Sequence, residues 1–326
     1  MNPAVKERVD AFLADLERAP VSRHVLGVVV SGSAARGEEI WAGDRLVSDI
    51  DLMVLTRRTD PRLIAGIERV IARHRGAGVD GGQVPLGPLR RYLTFAFYEA
   101  RANGVVVAGS IDPRTVVPPT EPADLPAWEG VRVLANRLME HVKLAVGETS
   151  AERAVAKSYE ALAEAYLVAE KRYRPSYTER LAELERDPPS AAPAEVVAAM
   201  KAVLRKRLGC AAPGAPPPTD PAAARRHLVD GLGRLISRYT GVDDPADEGL
   251  ARLARRERHR RHRLYWAARL AVTGRWPEID LRIDPVVRLW QRALHVDALS
   301  TVDAQRLLRD WCACPQVLVT RKGGSA

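Results

Sequence analysis

Apolar and polar positions follow two different rhythms along this chain. Over roughly the first third, short β-branched runs alternate with helical periods; beyond the proline-rich stretch TVVPPTEPADLP only helical periods remain. Asn2-Pro3 is a helix start, and Val5, Val9, Phe12, Leu13 and Leu16 recur at helical spacing, predicting an amphipathic first helix that leans on a sheet. VLGVVVSG (25–32) and DIDLMVL (49–55) read as strands, Asp60-Pro61 caps a helix reaching about Arg75, and VDGGQVPL (79–86) and VVVAG (105–109) read as two more strands. The later periods predict helices over 128–146, 150–173 and 176–187, then over 221–240, 247–273, 284–297 and 301–311, with CAAPGAPPPTD (210–220) as a connector. The pattern predicts an α+β protein, with a small mixed-sheet domain over 1–122 followed by an all-helical domain over 123–326.

Composition narrows the class. A chain of 326 residues with 46 % apolar content can fill two cores. No stretch approaches the ~20 continuous apolar residues of a membrane span, and charges run through the first residues where a signal peptide needs an apolar segment, so a cytoplasmic protein without a membrane partner is expected. Three cysteines, Cys210, Cys312 and Cys314, are too few for a disulfide framework and suit a reducing compartment. Charge is unevenly shared: residues 1–125 carry 16 Lys+Arg against 16 Asp+Glu, so the whole net charge of +9 falls beyond them. That excess permits a polyanionic partner without assigning one.

One segment carries chemistry. SGSAARGEEIWAGDRLVSDIDLMVL (31–55) joins a strand, a Gly-Ser turn and a second strand bearing two aspartates one residue apart. At Gly32 the missing side chain lets a phosphate approach backbone N–H groups, Ser33 adds a hydroxyl donor, and Arg36 is close enough to add charge. Asp49 and Asp51 alternate with Ile50 and so share a strand face, within reach of a common divalent ion of the hard, oxygen-loving kind. A bare pair of nearby carboxylates is self-repelling and becomes favourable when a cation neutralises it. Asp80 opens the following strand, where it could lie beside that face.

At Gly32, Ser33, Asp49 and Asp51 the sequence resembles the polymerase-β-like nucleotidyltransferase superfamily, in particular the bacterial and archaeal branch with antibiotic nucleotidyltransferases and small stand-alone domains with helical partners. The resemblance implies a catalytic domain over roughly residues 20–125, with a helical partner domain after it. It implies Mg²⁺, two ions, on Asp49, Asp51 and Asp80, with Asp80 supplying the third carboxylate. It also implies nucleoside triphosphate binding at Gly32, Ser33 and Arg36, with Lys157 of the helical domain facing the cleft. The implied reaction moves a nucleoside monophosphate to a hydroxyl or phosphate acceptor and releases pyrophosphate. One departure stands out: fifteen residues separate Ser33 from Asp49, and GEEIWAGDRLV forms an extended loop containing Glu38, Glu39 and Trp41.

The acceptor is open at this level. A small hydroxylated molecule comes first by resemblance, with RNA or protein next. The run RRERHRRHR (255–263), six Arg, two His and one Glu, has no side fit for a core, so it is either a solvated helix or a contact for an anionic partner. A reading of another class is a non-catalytic nucleotidyltransferase-like binding module. Tyr159 and Tyr166, seven apart, predict a core stripe, while Lys157, Arg172, Tyr173, Tyr177 and Arg180 read either as packing or as cleft contacts.

Overall fold

The computed structural model describes residues 1–43, 45–58, 60–91, 93–210, 216–241, 249 and 285–313. The chain divides into two compact units, Met1–Glu121 and Pro122–Leu318. The first holds a mixed four-stranded sheet; among the described residues the second is built of helices alone, and the architecture is α+β. No helix among the described residues is long and apolar enough to cross a membrane.

In the first unit, helix α1 (Pro3–Arg18) begins where the Asn2 side chain accepts from the Ala4 N–H at 2.9 Å, and it buries Val5, Val9, Phe12 and Leu16. Strand β1 (Val25–Ser31) pairs antiparallel with β4 (Ile50–Thr56) and with β6 (Val105–Gly109), and β5 (Val79–Pro85) adds in parallel to β4, giving the order β5-β4-β1-β6. The parallel pairing needs a crossover, supplied by α3 (Pro61–His74), whose cap Asp60 accepts from the Arg62 and Leu63 N–H groups. Alternation then sorts the strands onto two faces. Val28, Val30, Ile50, Leu52 and Val54 pack under α1 and α3, whereas Val29, Met53 and Leu55 pack with Phe97 and Ala100 of α5 (Phe95–Asn103).

Two details depart from the sequence expectation. The strand expected over 25–32 stops at Ser31, because Gly32 takes φ +66°, and the expected Gly-Ser turn instead opens a short helix, α2 (Gly32–Arg36). The extended loop contains a small hairpin, β2 (Trp41–Ala42) against β3 (Arg45–Leu46), too short to show as an alternating pattern. The glycine-rich 79–86 segment does form a strand: a Cβ at Gly81 would stand 2.0 Å from the Leu52 carbonyl oxygen, so only glycine lets β5 lie this close to β4.

The second unit packs α7 (Ala127–Ala145), α8 (Ala151–Ala169), α9 (Tyr177–Arg186), α10 (Ala194–Arg207), α11 (Pro221–Thr240), α12 (Pro285–Leu294) and α13 (Thr301–Ala313). At the α7–α8 crossing a Cβ on Gly130 would be 2.8 Å from the Ala165 carbonyl oxygen, so the two backbones meet directly. Trp128 and Trp290 are fully buried with ring centroids 6.1 Å apart, and the Trp290 indole N–H donates to Asn136 at 3.0 Å. Tyr159 and Tyr166 lie in this core as the spacing predicts. The helix expected over 150–173 ends at Ala169, because Lys171 takes φ 64° and its ammonium donates to the Leu125 carbonyl at 2.7 Å. The expected helix over 247–273, apart from Gly249, the basic run 255–263 and residues 211–215 of the connector lie outside the described residues.

Buried His141 gives this unit a pH dependence. Burial, then the nearby charge of Arg225, push its pKa down to about 4, and its Nε2 meets the Ser158 hydroxyl at 2.9 Å. Since that hydroxyl donates to the Ala154 carbonyl, it is free to accept from a neutral His141 whose Nε2 carries the proton. The folded pKa lies below the unfolded value, so the contribution is full above about pH 6.5 and is lost as pH falls toward 4, about 3 kcal/mol in all. Chemical denaturation between pH 7 and 4 is expected to show a shallower loss for His141→Gln than for the parent; parallel curves would refute this assignment.

Candidate functional site

The register of the sheet brings distant residues into one row. Ser31 is the cross-strand partner of Asp51, and Asp51 is the partner of Asp80, so the three stand side by side across β1, β4 and β5. They occupy the sheet face of Val29 and Met53, the α5 side. Neighbouring strands are roughly 4.8 Å apart, which sets the spacing of the Asp51 and Asp80 backbones, and both aspartates are exposed. Like charges directly opposite one another on a sheet disfavour one another. Asp49 stands half-buried one residue before β4, at the strand's entry.

Gly32 belongs to the same place. A Cβ there would fall 2.5 Å from the Asp51 Oδ2, so the absence of a side chain is what leaves room for that carboxylate. Ser31 contributes its hydroxyl to the Asp51 carbonyl at 3.4 Å, and Asp80 Oδ1 accepts from the Gly81 N–H at 2.8 Å, which orients that carboxylate at the start of β5. Ser33 follows on α2 and is buried. The row of Ser31, Asp51 and Asp80 thus has Gly32 against the Asp51 carboxylate, with Ser33 following Gly32 and Asp49 two residues before Asp51. Ser31 went unremarked in the sequence; its signal is two-residue spacing from Val29, which puts it on this face.

Arg36 is paired with two carboxylates. Its guanidinium donates to Glu38 at 2.6 Å and to Glu99 of α5 at 3.2 Å, and the side chain is 6 % exposed. This ties α2 to α5. Glu99 lies 63 residues away in the chain, so no local pattern could have paired it with Arg36. In the loop, Arg8 lies over the Trp41 ring at 5.6 Å, while Glu39 Oε2 and Trp41 Nε1 are buried without a hydrogen-bond partner.

Lys157 lies in the second unit, on α8, with its ammonium 3.2 Å from Glu160. Glu160 also accepts from Arg207 at 2.8 Å, and against the burial that raises it, Lys157, Arg207 and Arg137 draw its pKa down to about 2. Lys157 itself is raised: burial works against its charge, and Glu160 outweighs it. Lys157 is thus part of a buried ionic layer that also stacks Arg207 on Tyr177 at 3.9 Å.

Among the described residues no group of three His, Cys, Asp or Glu side chains converges as a preformed metal cage. The donors available at the row are carboxylate oxygens, the ligand type that hard divalent ions take when substrate oxygens complete the shell. No protein-family model matches the chain, and neither a curated protein nor a solved structure matches it.

Proposed function

We propose that this protein is a Mg²⁺-dependent nucleotidyltransferase whose catalytic module is the mixed-sheet unit, with the helical unit as its partner domain. The observation that supports the reading is the row in which Asp51 and Asp80 stand in register beside a glycine whose missing Cβ makes room for the Asp51 carboxylate. Asp49, Asp51 and Asp80 would hold the cations, which supply neutralisation of a triphosphate that three carboxylates would otherwise repel. Gly32 and Ser33 receive phosphate oxygens at the β1–α2 junction. An acceptor hydroxyl forms a bond to the α-phosphorus as the bond to the bridging oxygen breaks; pyrophosphate leaves with that electron pair, and the acceptor proton passes to Asp80. A small hydroxylated acceptor is the first choice by the resemblance at Gly32, Ser33, Asp49 and Asp51, with RNA the alternative that the basic run 255–263 would serve.

The test is pyrophosphate release and label transfer from each nucleoside triphosphate with Mg²⁺, in the presence of a metabolite extract, total RNA or cell protein. Transfer into one fraction, abolished by EDTA, is expected. Magnesium-dependent triphosphate binding without any release would replace this reading with a non-catalytic binding module; no binding at all would overturn both.

Gly32→Ala separates the local geometry from the fold. The left-handed φ costs an alanine roughly 1–2 kcal/mol, and the new methyl must displace the Asp51 carboxylate. We expect turnover to fall by about tenfold or more, with only a modest drop in melting temperature. Unchanged turnover would detach Gly32 from the site.

A further inference from the structure

The opposite face of the sheet carries a second feature that the proposed reaction does not use. Between the C-terminal turn of α1 and the outer side of α3 lies an open groove of about 850 Å³. Its wall is built by a notch: a Cβ on Gly66 would be 2.2 Å from Val21 Cγ1, so the chain following α1 lies directly against α3. Pro20 and Val21 form an apolar wall, and Arg18, Arg69 and Arg73 reach it from the two helices.

The charges of this groove do not balance within it. Three guanidiniums meet one lining carboxylate, Asp15, which is already engaged by His74 at 3.0 Å and by Arg18. Arg69 and Arg73 are four residues apart on one exposed helix face, where like charges disfavour one another, and the Arg69 Nε donates only to the Ala65 carbonyl of its own helix. The surplus of two positive charges equals the charge of a phosphate monoester dianion, and guanidinium forks match its oxygens. A groove of this size with an apolar wall and convergent polar groups has the proportions of a small-molecule site. From this geometry we infer that the α1–α3 groove binds a small organic phosphate, its phosphate on Arg69 and Arg73 and its apolar body on Pro20 and Val21. The site is separate from the Asp51–Asp80 row, which lies on the α5 side of the sheet, and stands whether or not that row is catalytic.

Phenyl phosphate is a suitable probe, titrated calorimetrically into the full chain without divalent ions, against inorganic phosphate and phenol. Phenyl phosphate is expected to bind more tightly than either, and Arg69→Gln/Arg73→Gln to weaken it at least about tenfold, while Asp51→Asn leaves it unchanged. Circular dichroism checks that the double variant is folded, and Arg69→Lys/Arg73→Lys is expected to restore part of the affinity. The inference is overturned if phenyl phosphate does not bind, if inorganic phosphate binds equally well, if the double Gln variant binds like the parent, or if Asp51→Asn removes the binding.

Discussion

Asp51→Asn is expected to reduce pyrophosphate release by more than the ~10- to 100-fold that loss of a supporting metal contact costs, while leaving the melting temperature nearly unchanged. The two halves of this expectation come from the same geometry. Asp51 is exposed at the mouth of the strand row, so its charge contributes little to the core; yet it is the central member, with Ser31 on one side and Asp80 on the other. Asparagine keeps the shape and the backbone register and removes only the negative charge a cation needs. Asp80→Asn is expected to follow the same pattern, and the double variant to be no worse than the more damaged single one, as for groups acting as one unit. The measurement is pyrophosphate release at saturating Mg²⁺ beside thermal unfolding of each variant. Turnover like the parent's in Asp51→Asn would dismiss the carboxylate row as the reacting centre.

How much of this could be read in the chain depends on the distance over which each decision is made. The strand VLGVVVS, the Asp60-Pro61 helix start and the Tyr159–Tyr166 stripe are settled by neighbours within a turn or a pleat, and each lies where its pattern places it. Gly32, Asp49 and Asp51 stood out because turn, strand and acidic alternation occur in one short segment. Asp80 reads as lying beside the Asp49–Asp51 face because it opens the following strand; its exact register with Asp51 is beyond a local pattern, since it depends on β5 adding in parallel across a helical crossover and on Gly81 permitting the approach. Arg36 shows the limit more sharply. Its nearness to Gly32 suggested a phosphate contact, but the carboxylates holding it come from the following loop and from α5. Lys157 and Arg180 likewise have local sequences that suit either a cleft or a core, and only the packing of α8 against α9 and α10 decides which groups face them.

That packing makes Arg180→Ala a strongly destabilising change in the helical unit. Arg180 is 1 % exposed, and every nitrogen of its guanidinium is used. Nε donates to the Arg174 carbonyl at 2.7 Å, Nη2 to the Pro175 carbonyl at 2.6 Å and the Tyr173 hydroxyl at 3.0 Å, and Nη1 to Glu164. The plane of the group also lies 4.4 Å from the Tyr177 ring and 5.1 Å from that of Tyr173. One side chain therefore closes the turn between α8 and α9, caps two backbone carbonyls and neutralises a carboxylate on α8. Removing it opens a cavity and strands Glu164 away from water, a loss of about 3–5 kcal/mol. The argument is asymmetric, because a buried pair is costly to break and cheap to replace. Arg180→Met/Glu164→Leu, which removes both charges and keeps the volume, is expected to recover a large part of the loss even though it gives up the hydrogen bonds to Arg174 and Pro175. Urea unfolding of the parent, the single and the double variant measures both quantities. If Arg180→Ala cost less than about 1 kcal/mol, the value of an exposed pair, Arg180 would not be the fastening point between α8 and α9.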